Sequence, residues 1–243
     1  MHSLLTTNVT DDLICITEPW FNHIGTARSD TLRDGCDVLG GAAHPNWDIQ
    51  YPYFTDNQRA KVMVYSHQFH QEQPSLCIPW RLVVRNDIGR HPCLLIIDVY
   101  DGSTLLWVIT FYRDADDPSS ITALLGLDLD PTIPTLLIGD FNYHSPTWSA
   151  PELGTSPHCA TFEMWAASQT FTVQTPSGMI TRCSHDGECP SPLDLTLHNL
   201  ASNLNANLSP PLYDWAASLR SNHVGICTSV VPVSVLCLDQ MSA

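Results

Sequence analysis

Short apolar runs of strand length recur along this 243-residue chain, and several of them stop on an acid or an amide. The sharpest is Leu136-Leu137-Ile138-Gly139-Asp140-Phe141-Asn142, where a run suited to burial ends in a carboxylate and a carboxamide. Apolar, β-branched and aromatic runs of about 4–8 residues, bounded by Gly, Pro, Asn and Asp, read as strands. That pattern predicts strands over Leu13–Thr17, Val62–Tyr65, Trp80–Val84, Leu94–Tyr100, Leu105–Tyr112 and Thr135–Asn142. Further candidates are Phe171–Gln174, Met179–Thr181, Leu193–Leu197 and Val224–Val231. The pair around Asp101-Gly102 reads as a hairpin. Helical spacing is rarer: Ser119–Leu125 follows the start signal Asp117-Pro118, and Pro157–Ser168 places Phe162, Trp165 and Ala166 at helical intervals. Many strands with interspersed helices imply an α/β or α+β fold, its sheets buried by helices. No internal linker divides the chain, so one domain over residues 1–243 is expected. Gly35 to Pro52 reads as one long surface segment.

Composition narrows the class. Hydrophobic residues make up 44% and charged ones 14%, a globular balance. No apolar run approaches the roughly 20 residues that span a bilayer, and no basic region precedes an apolar core at the N-terminus. Nine cysteines, odd in number and without framework spacing, favour reduced thiols and an intracellular address. Asn8-Val9-Thr10 matches a glycosylation acceptor only by chance. The formal charge of -15, with one lysine and nine arginines, is awkward for a nucleic-acid partner, because phosphate contacts normally come from Lys and Arg. A divalent cation among the acids would invert part of that field.

The chemistry-bearing residues sit at the ends of these runs. Asp140 and Asn142, two apart on a strand, would share a face. The acid could orient or deprotonate a water, and the amide could donate to a phosphate oxygen. Glu18 closes Leu13-Ile14-Cys15-Ile16-Thr17 just before Pro19, which ends the ladder, and a carboxylate there suits a hard cation. Asp194 lies within Leu193-Asp194-Leu195-Thr196-Leu197, where a buried acid needs a partner. His223, in Ser221-Asn222-His223, is the natural one, since a carboxylate fixes the imidazole tautomer and stabilises its charged form. Tyr112 ends another run, with a hydroxyl able to reach a phosphate. Taken singly, each has an ordinary reading: a solvated strand-end acid, a turn, a wet sheet face, a loop histidine, a core tyrosine with a wet tip. Cys183-Ser184-His185-Asp186-Gly187-Glu188-Cys189 fits no ordinary zinc spacing and reads as a hairpin loop.

The ordered set Glu18-Pro19-Trp20, Gly139-Asp140-Phe141-Asn142, Ser191-Pro192-Leu193-Asp194-Leu195 and Ser221-Asn222-His223 resembles the endonuclease/exonuclease/phosphatase superfamily. With Ile16-Thr17 ahead of Glu18, and with Tyr143-His144-Ser145-Pro146-Thr147-Trp148-Ser149 after Asn142, the chain looks like the apurinic-type endonuclease domain of fungal non-LTR (LINE-type) retrotransposons. The similarity runs from about Leu4 to Val235. It implies a four-layer α/β sandwich, two face-to-face sheets flanked by helices. Glu18 would bind Mg²⁺, or Mn²⁺ in its place. Tyr112 would face the scissile phosphate, Asp140 would activate water with Asn142 beside it, and Asp194 would hold His223. The implied reaction is hydrolysis of a DNA phosphodiester to a nick, with no membrane partner, a formerly fused reverse transcriptase, and a nuclear address on resemblance alone.

Two departures accompany the resemblance. The family has Asp-His where this chain has Asn222-His223, which removes one negative charge from the metal shell. The family's first central strand, which should precede a helix holding Leu4-Leu5, is not evident, so an N-terminally truncated fold is expected. An eroded or domesticated binding domain without activity, and a phosphatase acting on a small phosphoester, are the alternative readings.

Overall fold

The structure, a computed structural model, describes residues 5–6, 12–19, 22–26, 37–52, 59–67, 81–100, 105–149, 154–183, 192–200, 206–214 and 223–232. Its strands begin with β1 (Leu13–Thr17), β2 (Asn22–Thr26), β3 (Asp37–Gly40), β4 (Trp47–Gln50), β5 (Val62–His67) and β6 (Arg81–Val84). There follow β7 (Leu94–Tyr100), β8 (Leu105–Tyr112), helix α1 (Ser119–Leu125), β9 (Thr135–Asp140) and helix α2 (Cys159–Ser168). The chain continues with β10 (Thr172–Val173), β11 (Asp194–His198), β12 (Ala206–Leu208), β13 (Leu212–Asp214), β14 (Gly225–Cys227) and β15 (Val230–Pro232).

Two sheets carry the architecture. One has the order β1-β5-β4 and the other β10-β11-β9-β8-β7-β6. All pairs in the larger sheet are antiparallel except β8 and β9, which are parallel and joined through α1. Strand period explains the layering. Val62 and Val64 of β5 face Leu95, Ile97 and Val99 of β7 and Val108 of β8, forming a core between the sheets. The alternate residues of β5, Met63 and Tyr65, turn away and pack with Leu5 and Trp47. On the far face of the larger sheet, Leu94, Ile96, Trp107, Ile109, Phe111, Leu137, Leu195 and Leu197 pack under Leu124 of α1 and Phe162 of α2. Burying a side chain of this kind contributes about 1.5–3 kcal/mol. The result is an α/β sandwich.

Phe162 is the hub of the outer core. Its ring lies 4.9 Å from Phe141, 6.2 Å from Tyr143, 6.2 Å from Trp148 and 6.1 Å from Trp165, within the range where aromatic rings attract.

Several expectations need correction. Gly35 to Pro52 is not one surface segment: β3 and β4 lie within it, and β4 pairs with β5. Trp47 drives this, being buried with its indole N–H donating to the Leu5 carbonyl at 2.9 Å. The expected strand over Val224–Val231 is two strands, β14 against β13 and β15 against β12. Met179–Thr181 is not a strand, although Arg182 forms an isolated antiparallel bridge with His223. Residues 1–4, where the expectation of a lost first strand falls, lie outside the described residues. So do Asn8-Val9-Thr10, Asp101-Gly102 and most of the Cys183–Cys189 loop. No disulfide joins the described cysteines to one another. Among the described residues, no helix is long and apolar enough to cross a membrane.

Candidate active site

Strand register brings the candidates together. Tyr112 of β8 is paired with Asp140 of β9, and Asp140 with Asp194 of β11. The three residues form one row across the larger sheet. Gly139 makes the row possible. A Cβ there would lie 1.7 Å from the Phe111 carbonyl oxygen, so only glycine lets β9 close on β8 beside Asp140.

Asp140 and Asn142 meet, but not by strand alternation. β9 ends at Asp140, and Asn142 sits in the left-handed region at φ 48°. The Asn142 backbone N–H donates to Asp140 Oδ1 at 3.0 Å, the geometry of an Asx turn. Asn142 Nδ2 donates to the Arg113 carbonyl at 2.9 Å and to Asp140 Oδ2 at 3.3 Å. Both amide hydrogens are therefore engaged within the protein, and the side chain orients Asp140 in this state.

Asp140 is 2% exposed. Burial and the nearby charge of Asp194 push its pKa up to about 7, against the opposing charge of His223 and the Asn142 N–H. His223 Nδ1–H donates to Asp194 at 2.9 and 3.1 Å, and Nε2 lies 3.9 Å from Asp140 Oδ2. Burial alone would lower the histidine pKa. The hydrogen bond and charge of Asp194, with the charge of Asp140, more than offset that, so it is raised. Asp194, His223 and Asp140 thus form one hydrogen-bonded and electrostatic unit.

Glu18 arrives from the other sheet. It leaves β1 at φ 47°, a strained conformation for a residue before proline, with its N–H donating to the Lys61 carbonyl at 2.8 Å. Its carboxylate acts on the Tyr112 phenol. Burial first, then the Glu18 carboxylate and the charge of Asp140, raise the tyrosine pKa and keep the phenol neutral. Lys61 Nζ lies 5.7 Å from the Tyr112 ring centre and 3.5 Å from Asp114. Asn222 lies outside the described residues.

Two residues of the site are not evident from the sequence. Thr181 is fully buried, and its hydroxyl accepts the backbone N–H groups of Leu193 and Asp194 at 2.9 Å each. Its carbonyl accepts the Val224 N–H at 2.7 Å, so one threonine fixes the backbone on both sides of the Asp194–His223 bond. Arg113 donates from Nη1 to the Asn142 carbonyl at 3.1 Å, and its guanidinium lies 4.2 Å from the Tyr143 ring centre. The signal for Arg113 was its place directly after Tyr112. A threonine in a loop carries no comparable signal.

Oxygen-rich donors are the hard ligands that Mg²⁺ takes. Donor atoms of Asp140, Asp194 and His223 lie within 4.8 Å of one another. The pKa of Asp140, raised first by burial and then by the Asp194 charge, marks a place where a cation would relieve repulsion. With the His223 ring engaged by Asp194, the donors that fit such an ion are the carboxylate oxygens around Asp140, Glu18 among them.

A two-sheet sandwich whose strands deliver Asp140 and Asp194 from one sheet and Glu18 from the other, with His223 bonded to Asp194 from outside both sheets, has the endonuclease/exonuclease/phosphatase type of fold. The family model described as endonuclease–reverse transcriptase matches residues 106–227, half of the chain. The chain belongs to that family. Among solved structures it is similar to the endonuclease domain of TRAS1, a telomere-specific non-LTR retrotransposon. That match has a TM-score of 0.67 and 10% identity, and covers 94% of this chain and 91% of that one. It is also similar to an endonuclease/exonuclease/phosphatase family protein from Leptotrichia buccalis, with a TM-score of 0.52, 9% identity and coverage of 94% and 90%. No curated protein matches.

Proposed function

We propose that this chain is a divalent-metal-dependent endonuclease that nicks DNA by in-line hydrolysis of a phosphodiester. The observation that carries the reading is the Asp194–His223–Asp140 arrangement, with its carboxylate and imidazole pKa values both raised. A general base works best with a pKa near the operating pH, and burial with the Asp194 charge lifts that of Asp140 in this direction. Asp140 takes a proton from the attacking water, and Asn142 and Arg113 hold it in place. The water oxygen bonds to phosphorus as the bridging oxygen on the opposite side departs. His223, kept charged by Asp194, donates from Nε2 to a non-bridging oxygen and stabilises the charge that builds there.

Glu18 is the proposed metal ligand, and Asn222, next to His223 in sequence, is the proposed second one. The ion, Mg²⁺ or Mn²⁺, would polarise the phosphate and neutralise the departing oxygen. The match to the endonuclease–reverse transcriptase family supports DNA as the substrate and a reverse transcriptase as an associated activity.

The test is nicking of supercoiled plasmid at low salt with Mg²⁺ titrated. The chain should nick only with the ion, and Asp140→Ala should lower the rate by about 10²–10⁴-fold. Equal nicking by Asp140→Ala would remove Asp140 as the base. A folded chain that never nicks, even at high Mg²⁺, would instead be a non-enzymatic domain on a nuclease fold.

A further inference from the structure

On that endonuclease reading, we infer that Arg182 and His144 form a second phosphate subsite, which grips a DNA phosphate flanking the scissile one. The two residues lie outside the hydrolytic unit but border it. Arg182 is bridged antiparallel to His223. Residues directly opposite in such a pair have Cβ atoms about 4.5–5.5 Å apart and share a face. The guanidinium is therefore set beside the imidazole that faces the scissile phosphate.

Arg182 Nε is buried and finds no hydrogen-bond partner among the described residues, and the same holds for His144 Nδ1. Both side chains keep part of their surface exposed, and a donor left unmade costs about 1–3 kcal/mol, which a phosphate oxygen would recover where a small turn of the guanidinium uncovers Nε. The two groups sense each other: burial first, and then the Arg182 charge, lower the His144 pKa, and Arg182 also opposes protonation of His223. The neutral form of His144 is thus favoured, and Arg182 supplies the cation.

Lys61 pairs with Asp114, and Arg113 is held by the Asn142 carbonyl and the Tyr143 ring, although its Nε, like that of Arg182, has no partner among the described residues. In a chain of charge -15, an arginine with a buried unpaired N–H beside the dyad is where anionic backbone would be held.

The experiment measures binding of a fluorescently labelled DNA duplex to the full chain by anisotropy, across about 50–200 mM salt, in an Asp140→Ala background that halts cutting. Arg182→Gln should make the slope of log Kd against log salt shallower by about 0.9, one phosphate contact. Arg182→Lys should keep the slope and weaken binding, since it retains the charge without the Nε donor; it also serves should Arg182→Gln not fold. His144→Ala should weaken binding at constant slope. In the nicking enzyme, Arg182→Gln should raise KM far more than it lowers kcat.

Slopes and affinities equal to the background would overturn the subsite while leaving the nuclease reading standing, provided the parent binds and nicks. A loss in kcat alone would place Arg182 on the scissile phosphate and overturn the flanking role. Inorganic phosphate that stabilises the parent but not Arg182→Gln, with no change in duplex slope, would make this a small-anion site and overturn it too. A folded parent that neither binds duplex nor nicks would remove both readings.

Discussion

The two sheets that meet at the site are built to different standards. The larger one is covered on both faces, by the inter-sheet core and by the aromatic cluster around Phe162 under the helices. It delivers Tyr112, Asp140 and Asp194 from paired, in-register positions. In the smaller sheet, five of the six residues of β5 are buried, whereas every residue of β1 is half-buried. β1 delivers Glu18 from a strained turn. The proposed proton-handling half of the site is therefore held by a deep core, and the proposed metal-ligating half by a thinner one. A divalent ion bound between them would add rigidity where the fold supplies least.

The strongest test of that contrast lies in the aromatic hub. Phe162→Ala should cost about 3–5 kcal/mol in urea unfolding. A loss below about 1 kcal/mol would show that the outer core is not what steadies the larger sheet. Next comes ligand linkage. With free Mg²⁺ a hundredfold above its Kd, the parent should gain about 2.7 kcal/mol, and Glu18→Gln should lose that gain while keeping its metal-free stability. An undiminished gain in Glu18→Gln would move the ion away from the smaller sheet. Gly139→Ala should cost about 1–3 kcal/mol through the clash with the Phe111 carbonyl and should disturb the row of site residues. Unchanged stability and nicking would mean that β8 and β9 part more easily than their packing suggests.

The smallest effect concerns pH. His91, whose ring bonds Ser119 Oγ at 2.9 Å, has its pKa lowered by burial despite the opposing charge of Asp117. Its unfolded form takes up a proton first, at about 6.5. This residue's stability contribution is complete above that pH and falls away on acidification toward the lowered folded value. Thermal unfolding of His91→Gln followed from neutral to mildly acidic pH should show a shallower decline than the parent. A parallel decline would assign the pH dependence elsewhere.

The sequence was legible where one physical signal dominated. β1, β7, β8 and α1 have the bounds that their apolar patterns predict. β3 and β4 were obscured because Gly40, Gly41 and Pro45 look like loop, and only the burial of Trp47 shows why a strand forms there. The meeting of Asp140 with Asn142 was expected, yet its cause was a left-handed turn that a period-2 reading does not reveal. Thr181 escaped notice because its importance lies in two backbone N–H groups twelve and thirteen residues away. No local pattern encodes such a contact.

The row formed by Tyr112, Asp140 and Asp194 has a consequence for divergence. Adjacent strands lie about 4.8 Å apart whatever side chains they carry. The backbone ladder is therefore the yardstick of this site, and it sets the lateral spacing of the reactive groups without consulting the core. Substitutions can accumulate through the interior, down to the 10% identity shared with the TRAS1 domain, while the sandwich keeps its form. What cannot drift in the same way is register. A slip of one residue between β9 and either neighbour would turn Asp140 to the opposite face and take the row apart in a single step.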